Sequence, residues 1–163
     1  MMSTTIQSHG VQYGVRQAEI RHVEALIDLL ADDPIGSTRE TTNPDARTIY
    51  EEAFTRIDKD PAHLLVVITV DDDTVIGSMQ LTFIPGLSRM GATRMQIEAV
   101  RVHEDHRSKG IGSAMIRWAC DEGARRGAFL AQLTSDRTRT EAHSFYERLG
   151  FVDSHLGFKK SLS

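Results

Sequence analysis

From position 63 onward the chain alternates between short apolar runs and amphipathic stretches. His63 to Val70 is almost continuously apolar, Val75 to Ile84 is apolar again, and the acidic turn at 71–73 between them predicts a β-hairpin. Pro85-Gly86 stops the returning strand. Another strand is predicted over 93–103. Its alternation sets Met95, Ile97, Ala99 and Arg101 on one side, with Gln96, Glu98, Val100 and Val102 on the other. Ile111, Ala114, Met115, Trp118 and Ala119 then recur at the spacing of one buried helical face, which predicts a helix over about 110–126. A strand over 129–135, a helix over 138–149 and a last strand near 155–162 complete this half.

The first sixty residues read differently. Residues 1–9 are polar and aperiodic, the pattern of a flexible tail, and 10–163 read as one domain. A strand is predicted over 11–16 and a helix over 19–31, with Val23, Leu26, Ile27 and Leu30 on its inner face. Asp32-Asp33-Pro34-Ile35-Gly36 breaks that helix. A second helix over 45–57 would turn Ile49, Ala53, Phe54 and Ile57 inward. No repeat or linker interrupts the succession, so the class is α/β, a mixed sheet flanked by helices.

Composition narrows the class. The 163 residues are 40% hydrophobic and 26% charged, ordinary for a soluble globular domain. The longest largely apolar run, 64–70, is far too short to cross a bilayer, and no basic-then-apolar leader pattern opens the chain. The lone Cys120 has no internal disulfide partner and reads as a packing residue rather than a nucleophile. A cytoplasmic location is the resulting expectation, and nothing resembles a nucleic-acid or membrane footprint. The net charge of −4 conceals an asymmetry. From Arg101 onward 11 basic residues face 8 acidic ones, whereas the first hundred residues hold 8 against 15. A basic half suits a polyanionic ligand and an acidic half suits a cationic amine, although the acidic turns at 58–60 and 71–73 also read as plain solvated turns.

Chemistry concentrates at Arg107-Ser108-Lys109-Gly110-Ile111-Gly112, where the predicted helix begins. Amides in the first turn of a helix lack intrahelical acceptors and lie at the positive end of its dipole, so they can hold an anion. Glycines let a diphosphate approach the main chain. The string is not a P-loop, and Met115 stands where a dinucleotide fingerprint needs its third glycine. It resembles the Arg/Gln-x-x-Gly-x-Gly/Ala coenzyme A loop of the GNAT superfamily of acetyl-CoA-dependent N-acetyltransferases. A second string, Glu141-Ala142-His143-Ser144-Phe145-Tyr146-Glu147-Arg148-Leu149-Gly150-Phe151, is similar to that superfamily's last helix, Ala-x-x-Phe-Tyr-x-x-x-Gly-Phe. The two matches and their surroundings cover residues 95–160.

The resemblance implies a GNAT fold, with a mostly antiparallel central sheet of six to seven strands and about four helices. It also implies acetyl-CoA as co-substrate, held by main-chain groups of Val100, Arg101 and Val102 and by the loop Arg107, Ser108, Lys109, Gly110, Ile111, Gly112 and Ser113. Arg139 stands where many relatives have an asparagine, and could meet cofactor phosphates through charge or face water. Tyr146 is the candidate general acid, since a phenol of pKa about 10 can protonate a thiolate of about 8.5; the alternative is core packing beside Phe145 and Phe151. Glu98 is the candidate base for an ammonium acceptor of pKa about 10.4, the alternative being a strand glutamate paired with Arg94. His143 reads as a packing or cofactor-side residue. His103 and His106 lack the further ligands of a metal site, so no metal is expected. The acceptor is read as a primary amine of a small molecule, with loops 31–44 and 83–92 as its determinants. A protein lysine or N-terminal amine is one alternative, and an acyl-CoA sensor without turnover is another. Homodimerisation is common in the superfamily.

Overall fold

The computed structural model describes residues 3–32, 40–71 and 73–162. Six strands form one sheet in chain order: β1 (Ser3–Ser8), β2 (Val11–Gln17), β3 (His63–Val70), β4 (Thr74–Pro85), β5 (Thr93–Val102) and β6 (Ala128–Gln132). Neighbours are antiparallel except β5 and β6. That parallel pair needs a crossover, supplied by α4 (Ile111–Arg125). The remaining helices are α1 (Val23–Ala31), α2 (Arg47–Lys59), the single turn α3 (Ser88–Gly91) and α5 (Thr140–Arg148). This is the mixed, mostly antiparallel α/β architecture expected from the order of the elements.

The sheet carries a core on each face. Leu64, Val66 and Ile68 of β3, Met79 and Leu81 of β4, and Met95 and Ile97 of β5 pack with Ile111, Met115, Ile116 and Ala119 of α4. Val67, on the other face, joins Val23, Leu26 and Ile27 of α1 and Phe54 of α2. β3 is thus covered on both sides, which is why its sequence is a continuous apolar run rather than an alternation.

Four expectations are corrected. Residues 3–8 are not a flexible tail: they pair with β2 from Ser3↔Arg16 to Ser8↔Val11. Ile6 enters the core and Ser8 is buried, while the indole Nε1 of Trp118 donates to Thr4 Oγ1 at 2.9 Å. α1 buries Leu29 rather than Leu30. Ile49, expected inward on α2, is 66% exposed, because only Phe54 of that helix is fully buried. Residues 151–162 form no strand; Leu156, Phe158 and Leu162 stand in solvent.

One buried charge secures α4. Glu122 accepts from Arg125 Nη2 (2.7 Å) and Arg126 Nε (2.6 Å). Burial pushes its carboxyl pKa up, but the two arginines' hydrogen bonds and charges outweigh that and hold it below the usual range. A depressed carboxylate contributes stability above its unfolded pKa, and that contribution is lost as pH falls through the folded value. Glu122→Gln is therefore expected to cost roughly 1–2 kcal/mol at pH 7, discounted for the exposed Arg125. The difference should shrink toward pH 3, as read from urea midpoints.

Candidate active site

β5 changes character half-way along. Gln80 faces Glu98 and Ser78 faces Arg101, so Ala99 and Val100 together oppose the single residue Met79. Ala99 has φ 51°, a left-handed conformation that costs a non-glycine residue roughly 1–2 kcal/mol. The result is a β-bulge, which reverses the alternation of side chains. Val100 and Val102 accordingly pack on the same core as Met95 and Ile97, whereas Arg101 shares a face with Glu98. The expected assignment of residues beyond Glu98 to faces is inverted.

The other edge of β5 opens at the same level. Its pairing with β6 runs only from Thr93↔Ala128 to Gln96↔Gln132, where Gln132 Nε2 donates to Gln96 Oε1 at 2.7 Å. From Ile97 to Val102 that edge has no strand partner among the described residues. Bulge and opening coincide on the segment, Val100 to Val102, whose main chain the family resemblance nominates for holding acetyl-CoA.

The glycine turn follows directly. Gly110 is the N-cap of α4 with φ 73°, and Ser108 is also left-handed at φ 61°. Ala114 N–H makes a helical bond to the Gly110 carbonyl at 3.1 Å. The amides of Ile111, Gly112 and Ser113 precede it and have no intrahelical acceptor. A side chain on Gly110 would meet Ser8 Oγ at 2.6 Å and His9 Nε2 at 3.2 Å. Ile111 turns its side chain into the core, and the whole residue is only 1% exposed. Lys109 is exposed. Arg107 is anchored instead: Nη2 donates to Asp32 Oδ2 at 2.6 Å and Nε to the Val102 carbonyl at 3.0 Å. It thereby ties the end of α1 to the end of β5. This bridge was illegible in the sequence, because 75 residues separate its partners.

α5 brings the aromatic motif to the start of α4, where the Phe145 ring lies 3.5 Å from a notional Gly112 Cβ. Tyr146 stacks edge-to-face between Phe145 (5.1 Å) and Phe151 (5.8 Å). Burial pushes its phenol pKa up, and the charges of Arg139 and Arg101 draw it partly back. Packing and chemistry are compatible here: the ring contacts fix a phenol beside two cations. Arg139, at the N-cap of α5, is thus also near Tyr146. His143 Nε2 contacts the Asp136 carbonyl at 2.8 Å, tying α5 to the chain before it.

Glu98 is exposed on the face that also carries Gln80 and Gln96, and it forms no ion pair with Arg94 among the described residues. That face holds a polar track: His63 Nδ1 lies 3.0 Å from Thr82 Oγ1 and 3.3 Å from Gln80 Nε2. Cys120 is half-buried, and burial followed by the Asp121 charge pushes its thiol pKa up, the reverse of a nucleophile's environment. His103 Nδ1 accepts from the Asp105 amide. No group of three metal-ligating side chains occurs among the described residues. No helix among them is long and apolar enough to cross a membrane. Residues 33–39 of the expected acceptor loop lie outside the described residues.

The sheet thus opens between its two parallel strands, with a glycine-capped helix at the mouth of the opening. Residues 23–151 match the Acetyltransferase (GNAT) family model, and the chain belongs to that family. Over 67 residues it is 37% identical to an aminoalkylphosphonate N-acetyltransferase of Salmonella typhimurium, a match spanning 41% of this chain and 44% of that protein. A solved structure from Bacillus halodurans C-125, described as a transcriptional regulator, is 38% identical with a TM-score of 0.87, covering 91% of this chain and 98% of that one. The fold is shared with glucosamine-6-phosphate N-acetyltransferase from Arabidopsis thaliana at 19% identity and a TM-score of 0.75, covering 93% of this chain and 99% of that one.

Proposed function

We propose that this protein transfers the acetyl group of acetyl-CoA to a primary amine of a small molecule. The observation that carries the reading is the junction at the end of β5: the edge that β6 leaves uncovered beyond Gln96 leads straight into three amides without intrahelical acceptors at the start of α4. That junction suits a ligand with a diphosphate at one end and a long hydrogen-bonding arm. Acetyl-CoA supplies the activated acetyl thioester when bound. In this reading the amides of residues 111–113 take the diphosphate with Lys109, and main-chain groups of Val100, Arg101 and Val102 hold the arm. Arg107 acts through its bridge to Asp32, and Ser108 and Gly110 shape the turn. Tyr146 gives its phenolic proton to the departing thiolate. Glu98 takes a proton from the incoming ammonium, directly or through water. Arg139 supports the phenol and the cofactor side by charge. The likeness to an aminoalkylphosphonate N-acetyltransferase of Salmonella typhimurium supports a small amine as acceptor.

The test is thiol release from acetyl-CoA with a panel of aminoalkylphosphonates, amino acids and lysine peptides. Turnover on small amines is expected. Turnover on peptides alone would replace the acceptor class, and cofactor binding without turnover on any amine would overturn the proposal. Glu98→Gln is expected to lower kcat/KM about 10- to 100-fold at pH 7 and to shift the optimum upward, because the amine must then shed its proton unaided. A profile unchanged in height and position would remove Glu98 as the base.

A further inference from the structure

We propose that Ser8, in the N-terminal hairpin, is a positioning residue for the cofactor-binding turn. Ser8 Oγ donates to the Lys109 carbonyl at 2.6 Å, across 101 positions of sequence, and Ser8 is only 9% exposed. The carbonyl it holds belongs to the peptide that links Lys109 to Gly110. That peptide is planar and trans, so its N–H points opposite to its C=O. Pinning the carbonyl on the hairpin side therefore turns the Gly110 amide away from the hairpin and fixes the peptide that enters the first turn of α4.

The turn needs such a restraint. Ser108 and Gly110 are both left-handed, at φ 61° and 73°, and a non-glycine residue adopts that conformation only at a cost that the surroundings must offset. Left to itself, the Lys109–Gly110 peptide could rotate and point its carbonyl, rather than its amide, at an incoming anion.

The hairpin is built to hold the whole helix in register. Thr4, Ile6 and Ser8 share one face of β1. Thr4 bonds Trp118 at 2.9 Å and Ser8 bonds Lys109. Four strand residues span roughly 13 Å, and nine residues at helical rise span about the same. The two bonds thus bracket the start of α4, and Ser8 takes the end that faces the cofactor.

This inference rests on the cofactor reading above. The experiment is calorimetric titration of coenzyme A into the full chain and into Ser8→Ala and Thr4→Val, with steady-state kinetics on each. Ser8→Ala is expected to weaken coenzyme A about three- to tenfold, the range of one lost hydrogen bond. It should raise the KM for acetyl-CoA to match and leave kcat and the acceptor KM unchanged. Thr4→Val removes a more exposed bond to the same helix away from the turn, and should lower the thermal midpoint less, with cofactor affinity unchanged. Equal binding by wild type and Ser8→Ala would overturn the role of Ser8 and leave the cofactor site standing. Equal weakening in both variants would reduce Ser8 to general support of the helix. No heat with wild type would remove the cofactor reading itself.

Discussion

Tyr146→Phe is expected to lower kcat about 100- to 1,000-fold while leaving coenzyme A affinity within about twofold. The substitution deletes one oxygen and keeps the ring contacts at 5.1 and 5.8 Å that seat the side chain against Phe145 and Phe151. Stability should therefore hardly move, and the loss should be chemical. A leaving thiolate of pKa about 8.5 departs poorly at neutral pH without a proton, and a phenol of about 10 is the nearest suitable donor in strength. Burial raises the phenol further. A donor works only while protonated, so the raised value extends the plateau of kcat upward, and the alkaline decline should begin above the ordinary tyrosine range. The pH–rate profiles of wild type and variant check both points. A variant matching wild-type kcat at every pH would assign the proton to water instead.

How much of this was readable beforehand depends on whether the governing contacts are local. The β3 run, the apolar face of α4 and the stop at Pro85-Gly86 depend on near neighbours, and each element formed within a few residues of its expected limits. The bulge at Ala99 was missed because the string from Ile97 to Val102 reads smoothly as alternation. The one local sign was two adjacent apolar residues, Ala99 and Val100. β1 was missed for a different reason. Ser-Thr-Thr-Ile-Gln-Ser holds one large apolar residue, and the partners that order it, Lys109 before α4 and Trp118 on it, lie more than 100 positions away.

The candidate site divides along the same line. Its glycines and the Phe145-Tyr146 pair are sequence-local, and the fold brings them together where α5 meets the start of α4. Arg107 was readable as a cation but not as one committed to Asp32. A free arginine at that turn would have been a direct phosphate ligand. The observed bridge makes it a brace between the end of α1 and the end of β5.

Gly110→Ala should have the second large effect, and it separates two reasons for a glycine. A methyl group at φ 73° costs roughly 1–2 kcal/mol through the backbone alone. It would also sit 2.6 Å from Ser8 Oγ and 3.2 Å from His9 Nε2, so either the hairpin must retreat or the turn must flip. Either response breaks the Ser8 bond to Lys109 and reorients the amides ahead of α4. Together these terms predict coenzyme A binding weaker by about 30- to 100-fold, measured by calorimetry. Gly127→Ala is the matched control: it too has positive φ, at 78°, but nothing lies within 4 Å of the added carbon. It should lose comparable stability in urea and bind coenzyme A as wild type does. If both variants lost affinity equally, a general loss of stability would account for the effect, and the turn at Gly110 would have no special part in it. If Gly110→Ala alone lost affinity, the local geometry of the turn, its left-handed φ together with its contact with β1, would be the deciding feature.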